Sequence, residues 1–220
     1  MTTKLSLDAN LKQCLAALGL QMDEQVRTKL LIYQEELLRW NKKVNLTAVC
    51  APQESIEKNL ADSLTVLPFI AENSQLLDIG SGAGLPGIPI AAARSDLKVV
   101  SLEAVAKKVH FQRHAARVLG LPNFKAYQGR IEDYAPLLEK EGKFDLVIAR
   151  ALTELPQLLA WASPYLRGSG LLIAMKGPRE GDLSEADGEN NLQNFVLREN
   201  QQIVLPVSKA RRHLLIFEKR

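Results

Sequence analysis

A short apolar run that ends in glycines constrains this chain more than any other stretch. Residues 77–84 read Leu77-Asp78-Ile79-Gly80-Ser81-Gly82-Ala83-Gly84. An apolar run that breaks into glycines is a strand feeding a tight turn, because glycine alone lets the backbone reverse and approach a ligand closely. Downstream, strand-like and helix-like patterns alternate. Helical patterns at 87–93, 105–119 (ended by Gly120) and 155–166 (stopped by Gly168) separate strands at 97–102, 124–128, 144–149 and 171–175. Residues 144–149 are continuously apolar, as a strand covered on both faces should be. This alternation predicts a parallel sheet with helices on its faces. The last two strand-like runs, 202–207 and 213–218, have only residues 208–212 between them and should pair antiparallel.

Before Ser74 the pattern differs. Leu30, Leu31, Leu37 and Leu38 recur at helical spacing, and Ile56, Leu60, Leu64 and Leu67 do so in a second helix with Pro52 near its start. Asn41 to Asn45 is a polar break between them. The division is a helical extension, 1–73, and an α/β domain, 74–220. Tyr33 and Trp40 read as core aromatics of the helical part. The polar, acidic stretch 178–191 reads as a mobile loop.

Open α/β sheets bind ligands beyond the C-terminal ends of their strands. The glycine turn at 80–84 lies at such an end, and so does Glu103, whose carboxylate can accept from both hydroxyls of an adenosyl ribose. Asp78 can orient the loop or meet a ligand ammonium. An overlapping match, Gly82-Ala83-Gly84-Leu85-Pro86-Gly87, fits the dinucleotide pattern GxGxxG and makes an NAD-dependent oxidoreductase the alternative. That register starts two residues late, contains Pro86, and gives Asp78 no role. The antiparallel pair at the end also favours a methyltransferase. A non-catalytic module with a vestigial pocket is a further alternative, which the intact acid and glycines oppose.

Beyond the loop, the chain resembles the glucose-inhibited division protein B family, bacterial small-subunit ribosomal RNA guanine-N7 methyltransferases. The resemblance rests first on residues 78–89, Asp-Ile-Gly-Ser-Gly-Ala-Gly-Leu-Pro-Gly-Ile-Pro. It continues through Trp40-Asn41-Lys42-Lys43-Val44-Asn45-Leu46-Thr47, Asp62-Ser63, Gly129-Arg130-Ile131-Glu132, Ile148-Ala149-Arg150-Ala151, Lys176-Gly177 and Arg212-His213-Leu214. The chain departs from the pattern at Asn59, where the family usually has His, and at Glu103, where Asp is commoner.

The resemblance implies a Rossmann-like class I methyltransferase fold and S-adenosylmethionine as methyl donor. It implies N7 of the guanine at position 527 of 16S ribosomal RNA as the target, in naked RNA or in a small-subunit particle. It also implies donor contacts from Gly80, Leu85, Ile131, Glu132 and Arg150, which join Asp78, Gly82 and Glu103 from the local reading. Ile131 could flank the adenine and Glu132 its amino edge. Arg150 could hold a carboxylate or a phosphate bidentately.

Guanine N7 carries a free lone pair, so no general base is nominated, and His110 and His114 read as helix-surface residues. No metal site is expected. Cys14 and Cys50 form no CxxC pair and read as buried, reduced thiols.

Net charge is only +3, but five Lys or Arg stand against Glu218 alone in 207–220. Lys176, Arg211 and Arg212 are the expected RNA contacts at the crevice rim, whereas Lys107, His110, His114 and Arg117 read as a solvated helix face. The apolar fraction of 46% suits a packed core. With no long apolar run and no secretory pattern, a cytoplasmic monomer without a membrane partner is expected.

Overall fold

The computed structural model describes residues 4–133, 135–177 and 194–220, so the acidic stretch read as a mobile loop lies outside the described residues. The glycine run follows the central strand of a seven-stranded sheet in the order β3-β2-β1-β4-β5-β7-β6. The strands are β1 (Gln75–Ile79), β2 (Lys98–Glu103), β3 (Phe124–Gln128), β4 (Phe144–Arg150), β5 (Leu166–Lys176), β6 (Phe195–Val204) and β7 (Arg211–Lys219). The first five pair in parallel. β7 is antiparallel to both β5 and β6. Strand order reverses between β1 and β4, and that switch point opens a crevice at their C-terminal ends.

The helices are α1 (Lys4–Ala17), α2 (Glu24–Val44), α3 (Pro52–Ser55), α4 (Asp62–Leu64), α5 (Gly87–Ala93), α6 (Ala106–Leu119), α7 (Ala135–Glu141) and α8 (Leu155–Ala162). A π-helical turn, Ile56–Ala61, joins α3 to α4 without a break. Asp23 caps α2 by accepting from Val26 N at 2.7 Å. Gly120, at φ +61°, ends α6 in the left-handed conformation that glycine adopts without strain.

Alternation along the strands sends side chains to two cores. Leu76, Val99, Leu146, Ile148 and Ile173 pack with α1, α2, the π turn, α5 and α6. Leu77, Val100, Val147 and Leu172 pack with Leu137 of α7 and with Leu155, Leu158 and Leu159 of α8. The N-terminal helices therefore share a core with one face of the sheet. Leu30, Leu37, Ile56 and Leu60 are fully buried there, each worth roughly 1.5–3 kcal/mol of transfer free energy. Tyr33 is fully buried, and the rings of Trp40 and Phe111 lie 5.6 Å apart, so both aromatics pack α2 against α6. Among the described residues no helix is long and apolar enough to cross a membrane.

Several boundaries differ from the sequence reading. α8 stops at Ala162, and β5 begins at Leu166 rather than 171. Leu166 pairs with Phe144 across an irregularity in the ladder, and the early glycines of β5 fall at that irregularity. α7 has no counterpart in the sequence reading because its seven residues bury only Leu137. β6 starts at Phe195, its exposed middle being the polar run 198–202, a composition that suits a sheet edge. Both cysteines are free, but Cys50 is exposed, in the loop after α2, rather than buried.

Candidate active site

Gly80 leaves β1 at φ +64° and donates to Leu102 O at 2.9 Å, which binds the turn to β2. A Cβ at Gly80 would lie 2.4 Å from Leu152 Cδ1, so a larger residue there would have to displace that side chain. Gly82, at φ +59°, has nothing within 4 Å of where a Cβ would stand. Its N–H donates to Glu103 Oε2 at 2.9 Å, while Oε1 accepts from Val105 N at 2.9 Å. Each oxygen has a further lone pair, so the carboxylate is oriented by backbone and still able to accept from a diol.

These residues line a crevice of about 440 Å³ beyond the ends of β1, β2 and β4. Leu102 and Ile131 give it apolar walls, with Glu103, Glu132, Lys108 and Arg150 around them. Ile131 is fixed by its carbonyl, which accepts from Tyr165 Oη at 2.8 Å. The structure thus brings Gly80, Glu103, Ile131, Glu132 and Arg150 together in the crevice, and Gly82 joins them through its bond to Glu103.

Asp78 and Leu85 are not in the lining. Asp78 is fully buried beneath the turn, where its Oδ2 accepts from Gly87 N at 2.8 Å. Burial pushes its pKa up to about 7, against the opposing pull of the Gly87 N–H and Arg150. It orients the loop, one of the two roles open to it. The Leu85 side chain is 4% exposed and packs in the core, so the structure does not bring it into the crevice lining. Ala83 of the 82–87 stretch is buried in the same core.

The loop is also held by side chains that no motif announced. Gln112 of α6 donates to Ser81 Oγ and to Gly82 O, both at 2.8 Å, and accepts from Ser101 Oγ at 2.6 Å. Ser81 and Ser101 bond to each other. From the other side, Tyr33 Oη donates to Ala83 O at 2.9 Å. A polar residue on the buried face of α6 is the one trace of this network in the sequence.

Arg150 and Ala151 also line a second pocket, of about 340 Å³. The remaining wall comes from Thr47, Ala48 and Val49, from Lys58, Asn59 and Asp62 around the π turn, and from Met175, Lys176, Gly177 and Arg212. A π turn widens a helix locally and is frequent at functional sites. Arg150 donates to Lys58 O at 3.0 Å and stands 3.8 Å from Asp62 Oδ2. Arg212 Nε donates to the same oxygen at 3.3 Å. Lys176 is 8% exposed and donates to Thr153 O, so it belongs to the pocket wall and not to an exposed rim. Arg211 is exposed at the start of β7, after the turn rather than in it, and outside the pocket. His114 Nε2 donates to Glu36 Oε2 at 2.7 Å and the ring packs on Trp40, so part of the α6 stripe contacts α2 rather than solvent.

The sequence profile of the rRNA small subunit methyltransferase G family matches residues 26–215. The chain belongs to that family. A ribosomal RNA small subunit methyltransferase G from Syntrophotalea carbinolica is 44% identical over 96% of this chain and 97% of its own. One from Azoarcus is 40% identical over 93% of each. Among solved structures, a ribosomal protein L11 methylase from Lactobacillus delbrueckii superposes with a TM-score of 0.54 at 17% identity, covering 73% of this chain and 78% of that one. TrmN from Thermus thermophilus gives 0.55 at 16% identity, covering 75% and 53%. These likenesses share the fold. The family is one of methyltransferases, and the oxidoreductase reading is dropped. Within the methyltransferase G family, Glu103 and the glycine turn form the crevice beyond β1 and β2 described above, next to a second pocket on the far side of Arg150.

Proposed function

We propose that this chain methylates N7 of a guanine in small-subunit ribosomal RNA with S-adenosylmethionine, the guanine at position 527 being the target that the family resemblance implies. The observation that carries the reading is the shared wall: Arg150 and Ala151 line both the crevice that holds Glu103 and the pocket beside it. A donor and an acceptor must meet for transfer, and two adjoining pockets with one common wall allow that.

The crevice residues fit the donor. Glu103 has lone pairs free for two ribose hydroxyls, Leu102 and Ile131 offer apolar faces to an adenine, and the turn at Gly82 leaves open space where a side chain would stand. When bound, S-adenosylmethionine supplies an electrophilic methyl on a sulfonium. Arg150 holds an anionic group at the junction, either a carboxylate or a phosphate. N7 already presents its lone pair at neutral pH, so the residues are needed to position and to exclude water, not to remove a proton.

In this division of labour the 1–73 helices supply much of the target side and residues 74–220 the donor side. Arg211, exposed beside the second pocket's Arg212, meets phosphates of the incoming RNA. The test is a mass-spectrometric map of modified nucleosides in small-subunit RNA from cells with and without this protein. Loss of one N7-methylguanine is expected. An unchanged map refutes the reading.

A further inference from the structure

Asp62 is 3% exposed, yet it lines the second pocket. Its Oδ2 accepts from Arg212 and faces Arg150, whereas Oδ1 has no hydrogen-bond partner among the described residues. A buried carboxylate oxygen without a donor is expensive, and such atoms persist where another molecule can supply one. Burial pushes this carboxyl's pKa up, and the two guanidinium groups oppose that shift. Both guanidinium groups engage Oδ2 and leave Oδ1 as the unpaired side of the group, buried at the pocket wall.

The ligand that matches this face must present hydrogen-bond donors. Guanine does so along its Watson–Crick edge, with N1–H beside the 2-amino group. Adenine presents a lone pair at N1, which a carboxylate repels, and no 2-amino group. The Watson–Crick edge and N7 lie on opposite sides of the purine, so a carboxylate that reads the first leaves N7 uncovered. Enzymes that act on a base commonly withdraw it into a pocket and read that edge.

We propose that Asp62 is the specificity-determining residue for guanine: Oδ1 accepts from N1–H, and the carboxylate's remaining lone pairs accept from the 2-amino group. This rests on the methyltransferase reading above and names how its target base is chosen. Arg212 and Arg150 act as positioning residues toward Asp62.

The probes are guanosine, inosine and adenosine monophosphates, titrated by calorimetry into the full-length protein. Wild type should prefer the guanosine over the adenosine form by about 5- to 150-fold, the range for one bidentate base contact. The inosine form lacks the 2-amino group and should fall between them. Asp62→Asn converts the face to one acceptor and one donor, which complements the N6–H and N1 of adenine. It should lose the guanosine preference and gain adenosine affinity, with circular dichroism and binding of S-adenosylhomocysteine reporting that it is folded.

The inosine comparison needs no variant and stands even where Asp62→Asn fails to fold. The proposal is overturned by wild type that binds the three nucleotides equally or not at all at millimolar concentration. It is equally overturned by a folded Asp62→Asn protein that keeps the wild-type preference, which would mean that Oδ1 holds only a water. Either result, with the N7-methylguanine still formed, removes the role of Asp62 alone. A modification map unchanged between cells with and without the protein would remove the function itself.

Discussion

Gly80→Ala adds one methyl group at the point where β1 turns into the crevice. The residue sits at φ +64°, and a left-handed conformation costs an L-residue roughly 1–2 kcal/mol. The new Cβ would stand 2.4 Å from Leu152 Cδ1, so that side chain must move. Leu152 is half-buried and able to swing, which keeps the packing penalty near the low end of about 1–3 kcal/mol for an overfilled site. A total of about 2–3 kcal/mol lowers the melting temperature of a chain this size by roughly 4–12 °C.

The functional effect is separate, because Leu152 lines the crevice and displacement crowds it. Affinity for S-adenosylhomocysteine, measured by calorimetry, should fall at least about tenfold, the factor that corresponds to 1.4 kcal/mol. Adding Leu152→Ala relieves the collision but not the backbone strain. The double variant should therefore recover affinity while staying less stable than wild type. A Gly80→Ala protein that binds as tightly as wild type, or a double variant that recovers nothing, would refute the argument that a side chain at position 80 crowds the crevice by displacing Leu152.

Tyr33→Phe keeps the ring packing and removes the hydrogen bond from α2 to the glycine loop, leaving Ala83 O without this donor; it should cost about 1–2 kcal/mol in urea unfolding and weaken binding of S-adenosylhomocysteine. Asp78 holds its proton in the native state up to about pH 7 but releases it near 3.8 when unfolded, so between those values the native state binds more protons and stability falls as pH rises. At 1.36 kcal/mol per pH unit this contribution is on the order of 4 kcal/mol, and Asp78→Asn, which keeps an acceptor for Gly87, should be less pH-dependent than wild type by that amount between pH 4 and 7 in parallel denaturation series. Arg211→Ala should make the salt dependence of RNA binding shallower by about 0.7 in log–log slope without changing the melting temperature. Arg212→Ala removes a partner from buried Asp62 and should lower stability by roughly 3 kcal/mol; equal melting temperatures for the two variants would refute that distinction.

The sheet was legible because its strands are local patterns. Residues 75–79, 124–128 and 144–150 are short apolar or alternating runs with glycine or charge at their ends, and each folds where its pattern says. The crevice beyond β1 and β2 was legible for the same reason, since Gly80 and Glu103 are the ends of two such runs. What escaped was set by partners far away in sequence. The length of β5 depends on Leu166 finding Phe144, and the start of β6 depends on Phe195 facing Lys219. Lys176 reads as a surface cation until β7 and Thr153 close over it. The second pocket escaped most completely, because its residues come from 47–49, 58–62, 150–151, 175–177 and 212. No window of sequence contains it, and the π turn that sets Lys58, Asn59 and Asp62 along its wall has no hydrophobic period of its own.

That dispersal has a consequence for how the two pockets act together. Among the bonds that tie the segment before the sheet to the α/β part, several bear on the site. Tyr33 grips Ala83 in the glycine turn, Arg150 grips Lys58 in the π turn, and Glu57 accepts from Val207 N and Ser208 N in the turn before β7. Each bond joins a wall of one pocket, or the turn that carries it, to the opposite part of the chain. A displacement of α2 therefore pulls on the donor turn, and a displacement of the π turn pulls on Arg150, the residue common to both pockets. Transfer needs donor and base aligned to within fractions of an ångström, and two parts free to slide past each other could not hold that alignment. The shared core supplies rigidity, and these bonds fix the register in which the two pockets face one another.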